Sequence, residues 1–158
     1  MRILVLIDGI HTTEVLARLR RLLPLHESEL LLAYVRGPGP RAGLDLLRRR
    51  PGGPPGGHPL PPHRMRDVAD AERQGAASAL AEAERIAEAW AKKVTAQELV
   101  GEPGHEICNL AARMGADLVV VRAGGRDQPH VGPRSLGPAA RFIADHCPCP
   151  VLLIRGSS

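Results

Sequence analysis

Arg2-Ile3-Leu4-Val5-Leu6-Ile7-Asp8-Gly9 opens the chain with an unbroken apolar run of strand length, closed by an acid and a glycine. A strand with one wet face alternates apolar and polar residues, whereas a run this continuous fits a strand covered on both faces. Leu118-Val-Val-Val121 repeats the signature late in the chain, and Val151-Leu-Leu-Ile-Arg155 ends it the same way. Strands buried on both sides belong to parallel sheets whose crossovers are helices, so helical periodicity should lie between them.

It does. A helix is expected from Thr12 or Thr13, as N-cap, to Leu23, with Val15, Leu16, Leu19, Leu22 and Leu23 on its apolar face and Pro24 as its stop. Glu29 to Val35 reads as the second strand. From about Asp67 to Lys93 an alanine-rich helix should turn Leu80, Ala83, Ala87 and Trp90 to the sheet. Thr95 to Val100 is a third strand, polar enough for an edge. The next helix carries Ile107, Leu110, Ala111 and Met114, and Gly115 supplies its stop. Asp117 to Arg122 is the fourth strand, Gly137 to Asp145 the last helix. The order β-α-β-α-β-α-β-α-β predicts an α/β fold: a doubly wound, mostly parallel five-stranded sheet, order 3-2-1-4-5, with helices on both faces.

Between Gly37 and Arg66 half of the residues are Gly or Pro, so regular structure there is limited to a short helical turn at Leu44 to Arg50. We read 37–66 as a surface insertion within one domain spanning 1–158, since neither flank alone closes a sheet. The 158 residues include single Phe, Trp and Tyr residues, so the core must be aliphatic. No apolar run approaches the roughly 18 residues of a membrane span. Three cysteines, an odd number, point to reduced thiols and a cytoplasmic protein. Cys147-Pro148-Cys149 lacks the second ligand pair of a metal site and reads as two small buried residues around a proline. A net charge of +4 is too mild for a nucleic-acid footprint. Arg18, Arg20, Arg21 and the run Arg48-Arg49-Arg50 read as solvated faces.

Ligands of doubly wound sheets bind where strand order reverses, here after the first and fourth strands. The loops there, Asp8-Gly9-Ile10-His11 and Ala123-Gly124-Gly125-Arg126 onward to Gly137, hold glycines and a helix start suited to an anion. No Walker or dinucleotide glycine motif is present, and no nucleophile elbow or zinc pattern. His11 and His130 on these loops read as solvated. With no general base beside a nucleophile, any ATP hydrolysis is expected to be slow and incidental.

Three pieces, in order, resemble the universal stress protein family. They are Ile3-Leu-Val-Leu-Ile-Asp8-Gly9, then Gly101-Glu-Pro-Gly-His-Glu-Ile107 with Ala116-Asp117-Leu-Val-Val-Val121, and Cys149-Pro150-Val151-Leu-Leu-Ile-Arg155. The resemblance covers nearly the whole chain apart from 37–66. It implies a stress-responsive regulatory protein binding an adenine nucleotide, ATP (with Mg2+) or AMP. It also implies a homodimer paired through the last strand, with a further protein partner unspecified. Asp8 is similar to the family's aspartate near the adenine and the metal-bridged phosphates, although a strand-end acid also caps the next helix. Gly9 accompanies it, and Val35 matches the position where backbone meets adenine.

ATP-binding members carry G-x2-G-x9-G-[ST] after the fourth strand. Here Arg122 stands at the first glycine, Gly125 at the second and Gly137 at the third, with the loop two residues longer and Pro138 in place of Ser or Thr. Proline removes an N–H and a hydroxyl from the expected phosphate donors. Ser135 is the candidate replacement hydroxyl, and Arg122 or Arg126 the candidate charge-assisted donor. Two functions stay open: a nucleotide-binding regulator, or a ligand-free homodimeric scaffold with a degenerate loop.

Overall fold

The computed structural model describes residues 1–37, 62–124 and 136–155, with the side chains at 62 and 63 left aside. The described chain runs β1 (Arg2–Ile7), α1 (Thr12–Leu22), a short 3-10 turn, β2 (Glu29–Arg36), α2 (Pro62–Glu88), β3 (Lys93–Val100), α3 (Pro103–Met114), β4 (Leu118–Ala123), α4 (Pro138–His146) and β5 (Val151–Arg155). The five strands form one sheet in the order β3-β2-β1-β4-β5. All four pairings are parallel.

Because side chains alternate across a strand, the run in β1 feeds two cores. Ile3, Val5 and Ile7 pack with Val15, Leu16 and Leu19 of α1 and Leu80, Ala83 and Ala87 of α2. Leu4 packs on the opposite face with Ile107, Leu110 and Ala111 of α3 and Ala140 and Ile143 of α4. Trp90 leans on the first core from the turn after α2, partly buried, as an anchor. The uninterrupted apolar reading of β1 and β4 thus has its cause in two covered faces. The polar reading of β3 reflects its place at the sheet edge, where most of its residues are exposed.

Several boundaries differ from the sequence reading, each for a local reason. Helix α2 begins at Pro62, inside the Pro/Gly-rich stretch, because proline is at home in a helix's first turn. It ends at Glu88, short of Lys93, which belongs to β3. Leu22 was expected to face the sheet and is instead 60% exposed, since the apolar stripe of α1 ends at Leu19. The helix starts at Thr12 with His11 as N-cap, in place of a Thr cap. Gly115 stops α3 in the left-handed region at φ 60°, as expected. The short helical turn expected at 44–50, with its three arginines, lies outside the described residues. Among the described residues no helix is long and apolar enough to cross a membrane.

Candidate functional site

The sheet order reverses between β1 and β4, and a cavity of about 280 Å³ opens at their carboxyl ends. Asp8, Val35, Arg122 and Gly137, four of the residues singled out in the sequence, line it together. Gly9 does not line it. Its backbone takes φ 76°, and the space where a side chain would start lies against Tyr34 and Ala79, so Gly9 shapes the turn behind the site. Gly125, Arg126, His130 and Ser135 lie outside the described residues.

Two hydrogen-bonded segments set the geometry. At the β1 end, the Asp8 carboxylate accepts from the amides of Ile10 at 3.0 Å and His11 at 2.8 Å, and pairs with the His11 ring Nδ1 at 2.9 Å. This is an Asx-type turn that holds the chain leading into α1, since both amides precede the first helical residue, Thr12. The carboxylate therefore has its hydrogen-bonding capacity directed mainly into the turn while it also lines the cavity. At the β4 end, the Gly124 amide donates to the Leu136 carbonyl at 3.1 Å, tying the strand to the start of α4. Gly137, the N-cap of α4, adopts φ 76° and ψ 161°, a conformation essentially reserved for glycine.

The first turn of α4 then faces the cavity through Pro138, Ala139 and Ala140. Pro138 has no N–H, but the amides of Ala139 and Ala140 precede the first intrahelical bond, Arg141 N–H to the Gly137 carbonyl at 3.1 Å. The positive end of the helix and the Arg122 side chain thus border one space. Apolar walls come from Leu6, Ile7, Val121 and Leu136. A mostly apolar concavity with a few convergent polar groups is the ordinary form of a small-molecule site.

Gly124, from the expected loop after the fourth strand, lines the cavity, and so do Tyr34 and Pro103, which were not among the expected residues. The sequence holds a weak signal for each: Tyr34 is the neighbour of Val35 at the end of a strand, and Pro103 lies in the turn Gly101-Glu102-Pro103-Gly104. Their convergence depends on the α3 start meeting the end of β2, which is a matter of topology.

Burial pushes the Asp8 carboxyl up, but hydrogen bonds from the His11 amide and ring and from the Ile10 amide outweigh it. The result is a carboxyl held below its ordinary value of 3.8. A depressed folded-state pKa contributes stability that is present above the ordinary value and lost as pH falls through the folded one. Asp8→Ala, which removes the acceptor from two amides, should lower stability by about 0.5–2 kcal/mol near neutral pH. Denaturant unfolding of both proteins across the acid range checks this. The gap should narrow below about pH 4, and a gap independent of pH would show that the charge on Asp8 contributes nothing.

The three cysteines do not form the buried pair expected around a proline. All three are free and only partly buried, with the Cys147 and Cys149 sulfurs 3.7 Å apart, because the turn into β5 runs over the sheet edge.

No curated protein sequence matches the chain. Among solved structures, Universal stress protein UspA from Lactobacillus plantarum aligns with TM-score 0.72 and 22% identity, over 98% of this chain and 97% of that one. A universal stress protein family protein from Arabidopsis thaliana with AMP bound aligns with TM-score 0.67 and 16% identity, over 100% and 93%. A universal stress protein in complex with cAMP aligns with TM-score 0.63 and 20% identity, over 99% and 98%. At these identities the likeness establishes the fold, and the family assignment comes from sequence. The model of the universal stress protein family matches residues 57–155, well over half of the chain, and the chain therefore belongs to the universal stress protein family.

Proposed function

We propose that this chain is a stress-responsive regulatory protein that binds an adenine nucleotide, with the base near the end of β2 and the phosphate near the first turn of α4. The observation that carries the reading is the cavity bordered by Val35, Arg122, Gly137 and the α4 first turn, at the point where strand order reverses. The adenine nucleotides held by similar folds, AMP in one and cAMP in another, support the same ligand class. A monophosphate suits the site better than a triphosphate, because Pro138 withholds an amide and a hydroxyl from the helix start while Arg122 offers a charged donor. Regulation would follow from the ligand stabilising one arrangement of the α4 start. Assembly through β5 belongs to the same reading. Among the described residues this strand is paired on one side, with β4, and Val151 to Leu153 are partly buried.

Thermal unfolding with AMP, ATP and GTP tests it. A ligand at about 100 times its Kd adds roughly 2.7 kcal/mol, which raises the midpoint of a domain this size by about 5–10 °C. AMP should produce such a rise, ATP a smaller one and GTP none. Pro138→Ser should restore a donor and strengthen ATP binding, and unchanged ATP affinity in that variant would sink the account of Pro138.

Pro138 also favours a second reading, in which the loop is degenerate and the chain is a ligand-free homodimeric scaffold. Unfolding midpoints unmoved by every nucleotide, but rising with protein concentration, would support that reading.

A further inference from the structure

The three cysteines pack on the α3/α4 face of the sheet, the face that also carries the cavity, but toward the amino end of β5 and not at the carboxyl ends of the strands. Cys108 comes from α3, Cys147 caps the end of α4, and Cys149 precedes β5. The sulfurs of Cys147 and Cys149 are 3.7 Å apart, and Cys108 lies near enough to Cys147 for burial and that neighbouring thiol to push its own thiol up. Cys147 is therefore the thiol that neighbours both of the others, with Cys149 in direct contact. None of the three is fully buried or fully exposed. Cys108 and Cys147 are 39 places apart in sequence and would not meet by local geometry, so the cluster is a product of the fold, α3 packing against α4.

We propose that this cluster is a site of reversible two-electron oxidation by hydrogen peroxide, centred on Cys147. The Cys147 thiolate attacks one peroxide oxygen, the O–O bond breaks, and the departing hydroxide takes a proton to become water. The sulfenic acid left on Cys147 is then attacked by a neighbouring thiolate, the S–O bond breaks, and a second water leaves as the disulfide forms. Two thiols and one peroxide give one disulfide and two waters, with both sulfurs oxidised and both oxygens reduced. A partly buried cluster admits an oxidant of this size more readily than a peptide disulfide. Among the described residues no group of His, Cys, Asp and Glu is arranged to hold a metal ion, so sulfur redox chemistry is the use that the arrangement favours.

The flanking thiols are held back. Burial, then the hydrogen bond and the charge of Cys147, then the charges of Cys108 and Asp117, push Cys149 up to about 11. Burial and Cys147 raise Cys108 as well. Thiols with raised pKa react through a small thiolate fraction, so bond formation should accelerate up to roughly tenfold per pH unit between about pH 7 and pH 9. A bond between Cys147 and Cys149 would close a very short ring around Pro148, and strained disulfides are the labile, readily reduced ones.

The experiment is peroxide treatment of the purified chain, alkylation with iodoacetamide and non-reducing peptide mapping by mass spectrometry. The expected product is an intramolecular bond from Cys147 to Cys149 or to Cys108, formed at a rate independent of protein concentration and reversed by dithiothreitol. Cys147→Ser should leave Cys108 and Cys149 both open to alkylation, and Cys147→Ala serves if the serine variant does not fold. Full alkylation of all three cysteines in the treated wild type would overturn the proposal. So would a Cys108–Cys149 bond, a disulfide persisting in either Cys147 variant, or a bond forming only between chains.

Discussion

Gly137→Ala should unfold roughly 2–12 °C below the wild-type chain and bind AMP more weakly. The backbone at 137 holds φ 76° and ψ 161°, where a side chain costs on the order of 1–3 kcal/mol. In a chain of this length each kcal/mol moves the midpoint by about 2–4 °C. There is a second, steric penalty. A Cβ at this position would stand 3.2 Å from the Gly124 carbonyl oxygen, a backbone atom tied into the strand end through its own residue's bond to Leu136. The strain would be relieved by moving the start of α4 away from β4, which opens the cavity wall. Thermal unfolding with and without AMP reads both effects. A variant with wild-type midpoint and affinity would mean that the helix start tolerates displacement, and that it does not fix the site.

Leu16→Ala and Leu22→Ala make the second test, two identical changes on one helix with opposite expected results. Leu16 is fully buried against β1 and α2, so truncation removes its transfer free energy and leaves a cavity, at a cost of about 2–5 kcal/mol. The midpoint should fall by roughly 4–20 °C. Leu22 is 60% exposed, and its truncation should change stability by no more than about 0.5 kcal/mol. Denaturant unfolding with unchanged slope would confirm that the difference lies in native stability. Equal losses in the two variants would mean that α1 sits on the sheet in another rotation.

Sequence reading reached the fold because a doubly covered parallel strand leaves an unambiguous trace. The residues of β1 and β4 show no polar alternation, and the helices between them show period 3.6 where they meet one core each. It erred where composition and periodicity outran local geometry. Pro62 looked like loop because prolines and glycines surround it, yet proline is well placed in a helix's first turn. Leu22 fits the period of the α1 stripe but falls beyond the end of the packed surface. The turn held by Asp8, four residues before the first Thr, was legible only as one of two roles for that acid.

The site was legible in the same uneven way. Asp8 and Gly137 could be found because they lie in the loops after the first and fourth strands, which the element order alone predicts, whereas Val35 came from the family resemblance. Tyr34 and Pro103 could not, because nothing local says that the α3 start approaches the end of β2. The sulfur cluster is the extreme case. Cys147-Pro148-Cys149 looked like packing, and its third member lies on a different helix.

The central claim is that an adenine nucleotide occupies the cavity between the ends of β1 and β4. Titration of the isotopically labelled chain with AMP, followed through its backbone amide resonances, tests presence and place together. The account predicts progressive shifts at Val35, Gly124, Gly137, Ala139 and Ala140, with the exposed edge strand β3 unmoved. Resonances that stay fixed at millimolar AMP, or that move only along β3 or on the outer faces of the helices, would contradict it.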